Sequence, residues 1–494
     1  MGVLLSACLT REKDARKGPS SAESVQASGP HNLSPRGARN AASFGPEMQA
    51  ILKVFQDQYD ADSNPDGIVV LGVADNSLLR TELLEYFNKP GRLHLSAPEM
   101  TYANRVFASA RLLDALAGLY NEVPDGLEPH EGPHEAPRLI HAVKEKHTVV
   151  GSGATGILDA VAWVLCAKQE GILLSTPAYN AFFNDFTVRA DATIVEVPTS
   201  PAETLTAAQL VEKYETALQQ ARRAGTTVRM LLLCNPHNPT GCIYPREHIV
   251  ALARFAAKHD LHLVSDEIYA RSCFRTRAVP DPPQFHSVLS MDLQKEAGLP
   301  LSKLHVVTSA SKDFSINGFR LGVFISQGNP EAIAAMTALG LMAQASSPAG
   351  NLWFTLLEDR EYCLWFLAEQ RRRLAAAFNY VAAWAAHHGI PLAPANAGHF
   401  LLIDLSRFSG KTAKGEAELT SRFIEKKVFV APGAQYHHPK PGFYRLTFSV
   451  EPKALQVGLS RVEETLALES WIAKQPRLSF GDSHPPPALA APDA

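Results

Sequence analysis

Six cysteines in 494 residues, at 8, 166, 234, 242, 273 and 363, show no paired spacing, which argues against a disulfide framework and reads as reduced thiols in a cytoplasmic protein. No apolar run is long enough to span a membrane. Charge of one sign is also missing: 47 Lys and Arg stand against 50 Asp and Glu, a formal net charge of -3, which removes the electrostatic reason to expect nucleic acid. The 18 histidines have no ligand spacing that reads as a metal site, and no internal repeat is evident. A hydrophobic content of 46% over this length instead supports a large folded protein with one or two cores.

The most informative stretch is Ser309-Ala310-Ser311-Lys312-Asp313-Phe314, with Arg320 eight residues after the lysine. A lysine that bonds covalently to an aldehyde needs a loop that fixes its amine, and hydroxyls at Ser309 and Ser311 with a two-pronged donor at Arg320 can hold an anion beside it. Two further segments are apolar runs that stop at polar groups: Met230 to Cys234, ending in a double Asn-Pro turn that delivers Asn238, and Leu261 to Ser265, ending in Asp266 with Tyr269 three residues on. A third run, Leu304 to Thr308, leads directly into Ser309. Strands with helical patterns between them and polar clusters at their carboxyl ends are the signature of an open α/β sheet with a ligand beyond those ends. Upstream, Val149 to Gly156 is a glycine-rich turn entering a helix, where Gly153, Ala154 and Thr155 can cradle a phosphate.

Together these ordered motifs resemble the fold-type I, pyridoxal 5′-phosphate (PLP)-dependent class I/II aminotransferase family, and within it the 1-aminocyclopropane-1-carboxylate (ACC) synthase-like branch, over roughly residues 46 to 470. The resemblance implies an α/β, aspartate aminotransferase-like PLP-dependent transferase fold, with a large mixed, mostly parallel sheet domain and a smaller α+β domain. It implies that Lys312 forms the Schiff base and moves the substrate's α-proton, that Asp266 keeps the pyridine nitrogen protonated, and that Asn238 and Tyr269 reach the ring's phenolate oxygen. Ser309, Ser311 and Arg320 would hold the phosphate, Tyr179 in Thr176-Pro177-Ala178-Tyr179 would stack on the ring, and Arg445 in Phe443 to Ser449 would grip the substrate α-carboxylate. Asp75, in Leu71 to Asn76, stands where the branch has glutamate, one methylene longer, and would lie near the substrate. Tyr102 matches the residue that reaches the phosphate of the neighbouring subunit, so a homodimer with a shared active site is implied. The expected reaction is transamination of an α-amino acid; the alternatives are an ACC synthase-like lyase, cleaving a C–S bond or eliminating at the β or γ carbon, and a non-catalytic PLP-binding regulator.

The expected organisation is a disordered tail over 1–45, an N-terminal segment 46–100 contributing to the small domain, a large PLP-binding domain 101–350, a C-terminal small domain 351–474 and a second disordered tail 475–494. Met1-Gly2-Val3-Leu4-Leu5-Ser6 fits an N-myristoylation pattern, with Cys8 placed for a second acyl chain and Lys13, Arg16 and Lys17 following, so membrane association is expected only if the chain is acylated.

Overall fold

In a computed structural model, residues 33–43, 45–92, 95, 97–101, 108–122, 139–480 and 487 are described. The acylation pattern at Met1 to Cys8 and the expected subunit-crossing Tyr102 lie outside them. Among the described residues no helix is long and apolar enough to cross a membrane.

After a short strand β1 (Val69–Val70), seven strands make the large sheet: β2 (Thr148–Ser152), β3 (Gly171–Thr176), β4 (Thr193–Pro198), β5 (Val228–Cys234), β6 (His262–Asp266), β7 (Leu304–Ser309) and β8 (Leu321–Ile325). Their order is β2-β8-β7-β6-β5-β3-β4, and only β8 runs against the rest. The apolar runs are continuous because both faces are covered. Along β5, Leu231 and Leu233 enter one core while Met230, Leu232 and Cys234 enter the other, the alternation of a pleated strand. Since β5, β6 and β7 are parallel, their carboxyl ends meet at one edge and carry Asn238, Asp266 and Lys312 to the same place.

A second core is built on β9 (Phe400–Asp404), β10 (Val428–Phe429), β11 (Ala431–Pro432) and β12 (Phe443–Thr447), with a three-stranded antiparallel sheet ordered β11-β12-β9 and a parallel pair β1-β10. The boundary expected at 350/351 does not fall there. The helix Ser347–Glu358 puts Trp353 and Leu356 into the large core, and the 28-residue helix Arg360–His387, capped by the Asp359 side chain, belongs to both. Its Tyr362, Cys363, Phe366 and Leu367 enter the large core; its Leu374, Phe378, Val381 and Trp384 enter the second. The N-terminal segment is split likewise, with Val69, Leu71 and Leu78 in the second core but Leu83 and Tyr86 in the large one.

Both expected tails also carry structure. Pro35–Ser43 is a helix. Leu478 and Phe480 pack against the second core, where Arg372 donates to the carbonyl of Phe480, because two apolar side chains near a polar stretch have a surface to cover.

Candidate active site

The lysine loop is fixed from below. Ser309 caps the short helix Ala310–Asp313 by accepting from the Ser311 N–H at 3.0 Å, and its hydroxyl lies 2.7 Å from the Leu321 carbonyl and 2.7 Å from Ser311 Oγ. Lys312 Nζ donates to the Ala74 carbonyl at 2.5 Å. Burial, helped by the charges of Arg445 and Arg320 and opposed by Asp75, lowers the lysine to about 8. An amine so tuned is a substantial fraction neutral near physiological pH, which a nucleophile or a base requires.

Asp266 sits beside Cys234 at the end of β6, buried, and burial raises its carboxyl to about 7 against one opposing N–H, that of Ile268 at 3.2 Å. No cationic side chain among the described residues bonds to it, so the carboxylate is placed to receive a cation from outside the chain. A second acid, Asp185, is pushed up to about 8 by burial and by the neighbouring Asp159 and Asp266. Tyr269 is wedged edge-on between His399 and Phe400, each ring centroid 5.3 Å away.

Arg445 projects from β12 and is 4% exposed. Its Nη1 donates to Asn238 Oδ1 at 3.0 Å and its Nη2 to the Gly72 carbonyl at 2.7 Å, while the guanidinium lies 4.6 Å from the Phe400 ring centroid and 4.7 Å from that of Tyr436. Its Nε has no partner among the described residues. A buried guanidinium held by neutral groups alone, with a donor left over, suits an anion such as a carboxylate.

Opposite, the helix Gly153–Leu165 begins at the end of β2 with no side-chain cap from Ser152. Gly153 has φ 72°, and the Arg320 guanidinium, carried on a left-handed residue of φ 56°, occupies the space a Cβ at 153 would need. Arg320 Nη1 donates to the Asn317 carbonyl at 2.9 Å, so the fork is held over the helix start. A helix N-terminus and an arginine on one spot fit a phosphate.

These groups line one open cleft of about 360 Å³, which includes Ala154, Thr155, Tyr179, Asn238, Asp266, Tyr269, Ser311, Lys312, Arg320 and Arg445. Tyr179 packs edge-on against Phe182, centroids 5.2 Å apart. The wall suits PLP: a lysine for the aldehyde, a carboxylate without a cation of its own among the described residues for the ring nitrogen, and an anion cradle for the phosphate.

Three expected residues are placed differently. Ser309 does not line the cleft; its hydroxyl is committed to the Leu321 carbonyl and Ser311, so it supports the loop and leaves Ser311 to line the cleft. Asp75 opens onto an adjoining hollow, where it is paired with Arg80 at 2.5 Å, while its backbone carbonyl accepts from Ser449. Gly153 is buried behind the wall that Ala154 and Thr155 form. The structure adds Gly72 and Ala74 from the Leu71 to Asn76 motif, Asn317 from between Lys312 and Arg320, and Gln435 and Tyr436, which no local motif marks. The one signal that bears on Tyr436 is its position after the Pro432-Gly433 turn.

The aminotransferase class I and II family matches residues 134–462. Among curated relatives, a probable aminotransferase of Aspergillus fumigatus (gliI) is 32% identical over 81% of this chain and 90% of its own. The 1-aminocyclopropane-1-carboxylate synthase-like protein 1 of Homo sapiens is 30% identical over 86% of this chain and 81% of its own. Of solved structures, a double mutant of the Thermus thermophilus aspartate aminotransferase superposes with a TM-score of 0.65 at 20% identity, covering 88% of this chain and 99% of that one. The sheet order, the strand-end cluster and these matches agree, and the chain belongs to the aminotransferase class I and II family.

Proposed function

We propose that this protein is a PLP-dependent aminotransferase acting on an α-amino acid, in at least a dimer if Tyr102 serves as the resemblance implies. The observation that carries the reading is the buried Asp266, without a cation of its own, in the same cleft as Lys312 and Arg445. When bound, PLP supplies a protonated ring that accepts the electron pair left behind as a proton departs the substrate α-carbon. Asp266 holds the proton on the ring nitrogen. Arg445 orients the substrate by its carboxylate, which sets the α-carbon over the lysine. Lys312 Nζ, brought near neutral by burial, takes the α-proton.

The ACC synthase-like relatives favour a second reading, a lyase that cleaves a C–S bond or eliminates at the β or γ carbon. ACC formation itself is not expected, since Asp75 is one methylene shorter than the branch's glutamate and is turned to Arg80. The test is a screen of the purified protein against amino acids and sulfur-containing substrates. Keto acid together with the pyridoxamine form of the cofactor supports transamination; keto acid with free ammonia supports the lyase. Absence of a visible cofactor band after incubation with PLP would reject both.

A further inference from the structure

Behind the lysine lies a polar chain that the proposed reaction does not use. Asp313 follows Lys312 directly, but its carboxylate faces a separate cavity lined also by Tyr120, Glu267, Arg271 and Ser287. Ser272 Oγ lies 2.7 Å from Asp313 Oδ1 and 3.3 Å from His399 Nε2. The other carboxylate oxygen accepts from the Arg271 N–H at 3.0 Å. His399 is fully buried, its ring edge-on to Tyr269, and its Nδ1 has no partner among the described residues. The charges of Lys312 and Arg445 fall on this ring and, after burial itself, hold it neutral.

A hydroxyl between a carboxyl and an imidazole has a single hydrogen, so its direction is set from one end. With Asp313 ionised, Ser272 donates to the carboxylate and accepts from Nε2–H, which leaves a lone pair on Nδ1. With Asp313 protonated, the carboxyl donates to Ser272, Ser272 donates to Nε2, and the ring's hydrogen must be on Nδ1. The two arrangements differ by one proton: it enters at Nδ1, the Nε2 proton passes to Ser272, and the Ser272 proton passes to Asp313.

We propose that Asp313, Ser272 and His399 form a relay in which the protonation of Asp313 sets the tautomer of His399, and so whether Nδ1 offers a lone pair or a proton within reach of the Lys312 charge. Asp313 is buried and raised to about 7, so the relay reverses near neutral pH. The groups facing Asp313 are Ser272, Arg271 and, from the long helix, Arg371, with Cys273, Tyr120 and Glu267 nearby; those facing His399 are Ser272, Tyr269, Lys312 and Arg445.

The test is nitrogen NMR of the full-length, cofactor-loaded protein with 15N-labelled histidine rings, the His399 signals identified by their loss in His399→Gln. In the wild type the proton is expected on Nδ1 at about pH 6 and on Nε2 at about pH 9, the two tautomers of a neutral ring. Ser272→Ala cuts the relay and Asp313→Asn removes its titrating end, so in either variant the crossover disappears. A single tautomer across the whole range in the wild type, or a crossover that persists in either variant, overturns the proposal. The bonds lie outside the cleft, so the result does not depend on which reaction the protein performs.

Discussion

The guanidinium of Arg320 lies in the space that a β-carbon on Gly153 would fill. The arginine is thereby brought over the first turn of the helix Gly153–Leu165, and the glycine's φ of 72° is one that other residues adopt only under strain. Gly153→Ala should displace the fork and weaken PLP binding at least about tenfold, or 1.4 kcal/mol. Cofactor titration followed by absorbance measures this, and an unchanged affinity would show that the cradle is not the phosphate site.

Lys312→Ala removes the amine that bonds the aldehyde. The visible band of lysine-bound cofactor should disappear, and borohydride should no longer fix the cofactor to the chain. A dialysis-resistant, borohydride-reducible band in this variant would assign the bond to another lysine.

Asp266→Asn tests the buried, unpaired carboxyl through pH. The folded carboxyl titrates at about 7 against an ordinary 3.8, so between those values folding of the cofactor-free protein takes up a proton. Its stability therefore falls as pH rises through that window, by up to about 1.4 kcal/mol per pH unit, and levels off above it. The substituted amide keeps an oxygen for the Ile268 N–H without this cost, so calorimetry should find the variant gaining on the wild type from about pH 4 to about pH 7 and holding a constant lead beyond. Parallel curves would place the carboxyl at an ordinary value. With PLP present, turnover of the variant should drop about 100-fold or more, the scale of a lost electrostatic group in a reaction site.

Arg445→Lys keeps the charge but not the fork that reaches Asn238 and Gly72. Amino-acid binding should weaken by about 2 kcal/mol, roughly 30-fold, with cofactor affinity retained. The complementary measurement compares an amino acid with its carboxamide in the wild type; equal affinity would remove Arg445 from the carboxylate role.

The strand-end residues were legible because a parallel sheet buried on both faces writes its strands as unbroken apolar runs, and Asn238, Asp266 and Lys312 interrupt those runs where the strands stop. Tyr436 and His399 were not legible, since tertiary packing brings Tyr436 to the cleft beside Arg445 and His399 behind it against Tyr269. Ser309 shows the limit of reading a motif by residue type: a hydroxyl next to a lysine suits a phosphate, but the Leu321 carbonyl 2.7 Å away claims it. The domain boundary was missed for a geometric reason. The helix Arg360–His387 buries different residues in two cores along its length, so no change of composition marks the crossing.

That helix also limits how the protein can be divided. At 28 residues it is about 42 Å long, and each half forms a wall of a different core. A fragment ending near Leu367 would keep Val69, Leu71, Leu78 and Phe274 without the strands β9 to β12 that cover them, and one beginning there would keep Leu374, Phe378, Val381 and Trp384 without those four partners. Neither portion is a free-standing unit, so truncation and domain exchange with relatives should take the chain from β1 through Phe480 as one piece, including the helix Pro452–Leu466 that supplies Leu455, Leu459 and Val462 to the second core.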